Sequence, residues 1–301
     1  MYVNQTRRAF TSLAVGAFIV GAGSARAATL GGEDQATKAA QKALAALEAE
    51  HGGRLGVFAQ ESVSLRQISY RAQERFAMCS THKFLTVAAV LKQVDAGTLH
   101  LTQQVPYSQA DILSYAPITQ QHVKAGSLSV AALCAAAIEW SDNTAANLLL
   151  KLVGGPAGWT HFARMIGDNV SRLDRTEPTL NEAIPGDVRD TTSPNAMARD
   201  VKTILQGQVL TASSRQVLEN WMLSNQITNP LLRAGVPPGW RVADKSGSGD
   251  NGTRNDIGVL LPPAPQGAII AAVYYTASPQ AAPARDALIA KAGQIIASTL
   301  A

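Results

Sequence analysis

Cysteine is nearly absent from this chain, with only Cys79 and Cys134 among 301 residues. Two are too few for a disulfide scaffold. An oxidising compartment permits a bridge between them without demanding one, and two buried free thiols are expected, since free cysteine behaves as a small core residue. Cys79, directly beside Ser80, is a poor candidate nucleophile. The five histidines show neither HExxH nor any other clustered ligand spacing, so no metal and no cofactor is expected. Long apolar runs are missing as well. The stretch 13–22 falls short of the roughly 20 residues that span a bilayer, and no later segment is longer.

An excess of positive charge is also missing once the start of the chain is set aside. Residues 1–27 hold Thr6-Arg7-Arg8-Ala9-Phe10, a Gly- and Ala-rich apolar stretch and the small-residue pattern Ala25-Arg26-Ala27. A cationic start, a short apolar run and small residues at a cleavage site describe an export signal. The paired arginines look like a twin-arginine signal, with an ordinary secretory signal as the alternative. Removing 1–27 takes away three arginines and no acid, so the net charge falls from +4 to +1 over 274 residues. Nucleic-acid binding then loses its main support. The expectation is a periplasmic monomer with a small-molecule substrate and no membrane anchor after cleavage.

Apolar spacing outlines the organisation. Residues 33–50 read as a helix stopped by Gly52-Gly53, followed by a hairpin of strands 54–59 and 63–69. A second hairpin, 256–261 and 268–276, flanks Pro262-Pro263 and precedes a helix over 281–298. The middle is mostly helical, most clearly at 80–95, 129–139, 142–152, 194–205 and 211–223. Strands at both ends with helices between predict an α/β (α+β) fold. An antiparallel sheet assembled from 28–75 and 222–301 is flanked by the terminal helices, and an all-helical domain, 76–221, is inserted. Residues 172–190 show no period, and a loop that long in a compact protein is usually functional.

Four polar motifs follow in order: Ser80-Thr81-His82-Lys83, Ser141-Asp142-Asn143, Glu177-Pro178-Thr179-Leu180-Asn181 and Lys245-Ser246-Gly247. Each is common in structural contexts when taken alone. On a helix, three residues turn about 300°, so Ser80 and Lys83 share a face while His82 points elsewhere. A lysine made neutral by burial can take a serine proton. Asp142 or Ser141 would cap the helix that follows, yet the Ser141 hydroxyl can also relay a proton to a leaving nitrogen. Asn143 supplies an amide to substrate and catalytic side chain. Glu177 and Asn181, four apart in the irregular loop, can hold one water between them, with Glu177 as general base. An Arg175–Asp190 ion pair would staple that loop.

Lys245-Ser246-Gly247-Ser248-Gly249 reads as a strand, in which Gly247 lets a ligand approach the backbone. Lys245 and Ser246 would bind a substrate carboxylate, with Arg254 adding charge from the neighbouring strand. Backbone N–H groups of Ser80 and Ser248 would form an oxyanion hole.

As a set, these motifs resemble the class A serine β-lactamases over essentially the whole chain after residue 27. Met78-Cys79-Ser80-Thr81 and the segments 141–149, 172–181 and 244–249 carry the resemblance, with Ser246 where the family motif has threonine. It implies a sheet domain beside a helical domain with the site between them, and hydrolysis of β-lactams through a serine acyl-enzyme. Ser80 is then the nucleophile, Lys83 and Glu177 the bases, and Ser141 the proton donor to the β-lactam nitrogen. Asn181 holds the deacylating water with Glu177. Tyr115 walls the cleft, Asn143, Lys245, Ser246, Gly247, Ser248 and Arg254 bind substrate, and Glu177–Pro178 is cis. The run Lys245–Asp250 is similar to members that accept oxyimino-cephalosporins. Some carbapenem-hydrolysing members bridge the position of Cys79 to that of Gly249, and here that bridge is absent. A penicillin-binding D,D-carboxypeptidase or transpeptidase is the nearest rival, but generally lacks the pair formed by Glu177 and Asn181. A non-catalytic β-lactam sensor would need an anchor, and an esterase would need a G-x-S-x-G elbow.

Overall fold

The structure, a computed structural model, describes residues 34–301. The export signal expected over 1–27 lies outside the described residues. Helix α1 (Gln35–His51) leads into strands β1 (Arg54–Glu61) and β2 (Gln67–Tyr70). A short β3 (Phe76–Ala77) and a 3-10 turn (Cys79–Thr81) precede α2 (His82–Asp95). Then come β4 (Gln104–Pro106), α3 (Thr119–His122), β5 (Ser127–Ser129), α4 (Val130–Glu139), α5 (Asn143–Leu152) and α6 (Gly155–Met165). A long loop with a 3-10 turn (Thr179–Asn181) reaches β6 (Thr191–Thr192), followed by α7 (Pro194–Leu205), α8 (Ala212–Leu223) and α9 (Leu232–Gly235). Strands β7 (Arg241–Gly249), β8 (Thr253–Leu261) and β9 (Ile269–Thr276) lead to α10 (Ala282–Leu300).

Five strands form one antiparallel sheet in the order β2-β1-β9-β8-β7. The central strand β9 explains why 268–276 reads as an apolar run. Its Ile270, Ala272 and Tyr274 enter one core, and its Ile269, Ala271, Val273 and Tyr275 enter a second on the opposite face. Successive side chains of a strand point to opposite faces, so a strand covered on both sides reads as an unbroken apolar run. The second core is closed by Ala40, Leu44 and Leu47 of α1 and by Leu288, Ile289, Ala292, Ile296 and Leu300 of α10. The first continues through α2, α4, α5 and α7, and α2 is buried at every residue from His82 to Leu91.

Helix starts follow local capping chemistry. Asp34, Ser129, Asp142, Ser193 and Thr211 each accept a backbone N–H at the head of α1, α4, α5, α7 and α8. Three local readings are corrected. Strand β2 starts at Gln67, not 63, because the Glu61 carboxylate takes the Val63 and Ser64 N–H groups into a turn. Helix α6 was missed: its Gly155-Pro156 start resembles a loop, yet Trp159, Phe162 and Ala163 bury one face. Ser80 sits in the 3-10 turn just before α2 rather than inside the α-helix.

Candidate active site

Ser80 is held where the 3-10 turn enters α2, with three acceptor-rich elements converging on Lys83. The Lys83 Nζ lies 2.9 Å from Ser80 Oγ, 2.7 Å from the Ser141 carbonyl, 3.2 Å from Ser141 Oγ and 2.6 Å from Asn143 Oδ1. It is also 3.0 Å from Glu177 Oε1, with both side chains fully buried. Burial drives the Lys83 pKa below the ordinary lysine value, and the nearby Glu177 carboxylate opposes that shift. Burial also acts to raise Glu177, but Lys83 and His82 outweigh it and hold that carboxyl well below the usual range. Cys79 and Ser141 adopt left-handed backbone angles, φ +46 and +58. Such strain at non-glycine residues persists only where the surroundings impose it.

Asp142 serves as helix cap and loop anchor together. Its oxygens accept from Ala145 N at 2.8 Å, Ile118 N at 3.0 Å, Thr119 N at 2.8 Å and Thr119 Oγ1 at 2.9 Å. Asn143 N donates to the Tyr115 carbonyl at 3.0 Å. These bonds hold Tyr115, 46% exposed, at the mouth of the cleft.

The irregular loop brings Glu177 to Ser80. Glu177 Oε1 accepts from Ser80 Oγ at 3.3 Å, and Asn181 Nδ2 donates to Glu177 Oε2. The Glu177 and Asn181 side chains touch directly, and Asn181 Oδ1 is left without a protein partner. Glu177–Pro178 is cis. The expected staple is present, with Arg175 Nε 2.6 Å from the buried Asp190 Oδ2. Asp190 also accepts from Asp174 N and Arg175 N, and its carbonyl accepts from Met78 N at 2.9 Å, tying the loop to the turn that carries Ser80.

Strand β7 is a sheet edge, and it packs directly on that turn. A Cβ at Gly247 would lie 2.8 Å from the Met78 carbonyl. Glycine here admits the protein's own backbone, where the sequence reading reserved the space for a ligand. Lys245 is fully buried and donates to Ser141 Oγ at 3.0 Å and to the Ser246 carbonyl at 2.7 Å. Burial and the like charge of Lys83 push its pKa well below the ordinary lysine value. It stands behind the cleft wall rather than on it. Arg254, opposite Ser248 in the β7–β8 pairing, is anchored by Asp286 at 2.6 Å and donates to Ser248 Oγ.

The open cleft measures about 370 Å³ and is lined by Ser80, Tyr115, Ser141, Asn143, Asn181, Ile227, Ser246, Ser248 and Arg254. Among the expected site residues, Lys83, Glu177, Lys245 and Gly247 lie beneath that lining. Sequence reasoning missed Ile227, for which no local signal exists. It also missed Asn147, whose amide brackets the Glu177 backbone, donating to its carbonyl at 2.9 Å and accepting from its N–H at 3.0 Å. The four-residue spacing of Asn143 and Asn147 on α5 was the available signal. His82 was set aside because it faces away from Ser80, yet its Nε2 lies 3.3 Å from Glu177 Oε1. Both cysteines are buried and free, as expected.

Comparison with known proteins extends this local agreement to the whole described chain. A family model described as the β-lactamase enzyme family matches residues 39–300. Beta-lactamase CTX-M-8 of Citrobacter amalonaticus is 47% identical over 256 residues, covering 85% of this chain and 87% of that protein. Beta-lactamase Toho-1 of Escherichia coli is 47% identical over 258 residues, with 85% and 87% coverage. A solved structure described as the class A β-lactamase of the last common ancestor of Gram-negative bacteria superposes with a TM-score of 0.85 at 51% identity, covering 86% of this chain and 98% of that one. At that identity over that span, the chain belongs to the β-lactamase enzyme family and, within it, to class A.

Proposed function

We propose that this chain hydrolyses the β-lactam amide through an acyl-enzyme on Ser80, with Glu177 as general base in both half-reactions. The carrying observation is the 3.3 Å contact between Ser80 Oγ and Glu177 Oε1 beside a fully occupied Lys83. Lys83 Nζ faces three groups that accept hydrogen bonds, the Ser141 carbonyl, Asn143 Oδ1 and the Glu177 carboxylate. An ammonium donates to all three with its three N–H bonds, whereas a neutral amine donates to only two of them. Lys83 therefore acts as a charged clamp, and Glu177 takes the Ser80 proton as Oγ attacks the carbonyl carbon.

The tetrahedral oxyanion is held by the Ser80 and Ser248 N–H groups, preorganised donors of the kind that lower such barriers by several kcal/mol. Ser141, contacted by both Lys83 and Lys245, protonates the departing nitrogen as the C–N bond breaks, and Lys83 passes Ser141 a proton while taking the one held by Glu177, which restores the carboxylate. A water then gives its proton to Glu177 and its oxygen to the acyl carbon, and Ser80 leaves with a proton. Asn181 Oδ1, buried without a protein partner, is available to accept from that water. Ser246, Ser248 and Arg254 bind the substrate carboxylate, with Lys245 supplying positive potential from behind. Tyr115 and Asn143 border the acyl side chain, and Gly247 keeps β7 against the nucleophile turn.

Oxyimino-cephalosporins belong to the proposed range, on the strength of the Lys245–Asp250 run. Carbapenems are poorer substrates on this reading, because Gly249 cannot bridge to Cys79. The division into a sheet lobe, 28–75 with 222–301, and a helical lobe, 76–221, accompanies it, the cleft lying where β7 meets the nucleophile turn. So do export through 1–27 by the twin-arginine route to the periplasm, resistance to β-lactams and action as a monomer. Among the described residues no helix is long and apolar enough to cross a membrane.

Turnover of a chromogenic cephalosporin by the purified protein tests the hydrolase. Wild type should turn over rapidly. Glu177→Ala should slow by orders of magnitude, with a Ser80 adduct visible by mass spectrometry wherever acylation outruns deacylation. A wild-type protein that stays stoichiometrically acylated would sink the hydrolase reading in favour of a penicillin-binding enzyme.

A further inference from the structure

His82 lies beside the general base, yet no step above uses it. The imidazole is fully buried, with Nε2 3.3 Å from Glu177 Oε1 and Nδ1 3.2 Å from Thr86 Oγ1. A carboxylate oxygen only accepts, so the nitrogen facing it must carry a hydrogen. Thr86 settles the other end of the ring, because its single hydroxyl hydrogen has two destinations. Thr86 Oγ1 is 3.1 Å from the His82 carbonyl, and it can turn instead to Nδ1. With a neutral ring, Thr86 donates to the bare Nδ1 and Nε2–H remains on Glu177. With an imidazolium, Nδ1–H donates to Thr86, whose hydrogen returns to the His82 carbonyl. Either protonation state is satisfied, and both keep Nε2–H on the base. The backbone at this point is pinned from α6, where Trp159 Nε1 donates to the His82 carbonyl at 3.1 Å.

We propose that His82 is a positioning residue for the general base. It supplies a constant Nε2–H donor that holds Glu177 Oε1 towards Ser80 and leaves Oε2 to Asn181 and the hydrolytic water. This inference rests on Glu177 acting as the base. Charged and titratable groups facing His82 are Glu177 from the loop, Lys83 from its own helix and Lys245 from β7. Burial favours the neutral ring at neutral pH, and Thr86 makes that state compatible with donation to Glu177. A donor to an anion lowers the proton affinity of that anion, so removing His82 should raise the pKa of Glu177. The base then protonates earlier as pH falls, and the acid limb of kcat/KM, which reports the free enzyme, moves up.

The test is the pH profile of kcat/KM for wild type, His82→Phe and His82→Gln with a chromogenic cephalosporin. His82→Phe should move the acid limb up by about one pH unit, the scale of one lost hydrogen bond to a charge. His82→Gln, whose Nε2 can occupy the place of the ring nitrogen, should return the limb towards wild type. An aromatic that merely fills space would lower rates at every pH without moving the limb, and that result overturns the inference while Glu177→Gln remains inactive. Should Glu177→Gln hydrolyse at the wild-type rate, the general-base reading falls, and this inference with it. Nitrogen-15 NMR of the wild-type protein gives an answer independent of how the variants fold. The His82 signal, assigned by its loss in His82→Gln, should show protonated Nε2 at neutral pH, and bare Nε2 overturns the proposal.

Discussion

Replacing Asp190 by asparagine should loosen the loop that carries Glu177, while the main-chain carbonyl at 190 that accepts from Met78 N is kept. Asp190 is fully buried, with Oδ2 2.6 Å from Arg175 Nε and Oδ1 2.7 and 2.9 Å from the N–H groups of Asp174 and Arg175. Asparagine keeps an oxygen for the two backbone donors but turns an NH2 towards the guanidinium. Breaking one side of a buried ion pair costs about 3–5 kcal/mol. Arg175 is 16% exposed and keeps a second partner in Glu182, which brings the cost to the bottom of that range or just under it, roughly 2–3 kcal/mol. For a chain of this size that is a drop in melting temperature of about 5–10 °C. Glu182→Gln is the control, since that partner is 44% exposed and such pairs contribute less than about 1 kcal/mol. Thermal melts by circular dichroism read the stability. Hydrogen exchange should show protection lost first over 172–190, and kcat should fall more than KM rises because Glu177 rides on this loop. An Asp190→Asn protein melting within about 1 °C of wild type would refute the reasoning.

Two further outcomes follow from the packing around the turn. A Cβ at Gly249 would lie 2.6 Å from both the Asn181 carbonyl and Cys79 Sγ, so Gly249→Ala must displace the loop from β7. That overpacking costs about 1–3 kcal/mol, and the melt should fall with a slower chromogenic turnover; unchanged kinetics and melting would contradict the contact. Burial raises the Cys79 and Cys134 thiols well above the ordinary cysteine pKa, so neither should react with a disulfide reagent at neutral or mildly alkaline pH. Both should titrate on unfolding in denaturant, and rapid labelling of the native protein would refute their placement in the core.

The readable part of the fold was the part written in local periods and caps. Helix α7 was expected over 194–205 and runs Pro194–Leu205, because Ser193-Pro194 is a start signal needing no distant partner. The second hairpin was legible for a similar reason, since its strands share an apolar pattern across two prolines. Errors arose where one side chain overruled the pattern, as at Glu61 with the turn before β2. They also arose where glycine and proline concealed a helix, as at the start of α6.

The sequence alone determined the chemical inventory of the site: a serine with a lysine three residues on, a capped Ser-Asp-Asn turn, a carboxylate and amide four apart, and a lysine strand. It also determined the order of elements that carries them, since periods of 2 and 3.6 residues are local properties. Tertiary structure alone decided which oxygen meets which proton. Ser80 and Glu177 touch across 97 residues of chain and His82 and Glu177 across 95, and no periodicity encodes contacts at that range. Packing likewise withdrew Lys245 behind the cleft, gave Gly247 to the Met78 carbonyl and turned His82 from a bystander of Ser80 into a neighbour of Glu177. The reason is physical: helical spacing fixes which residues share a face, and only packing fixes what that face meets.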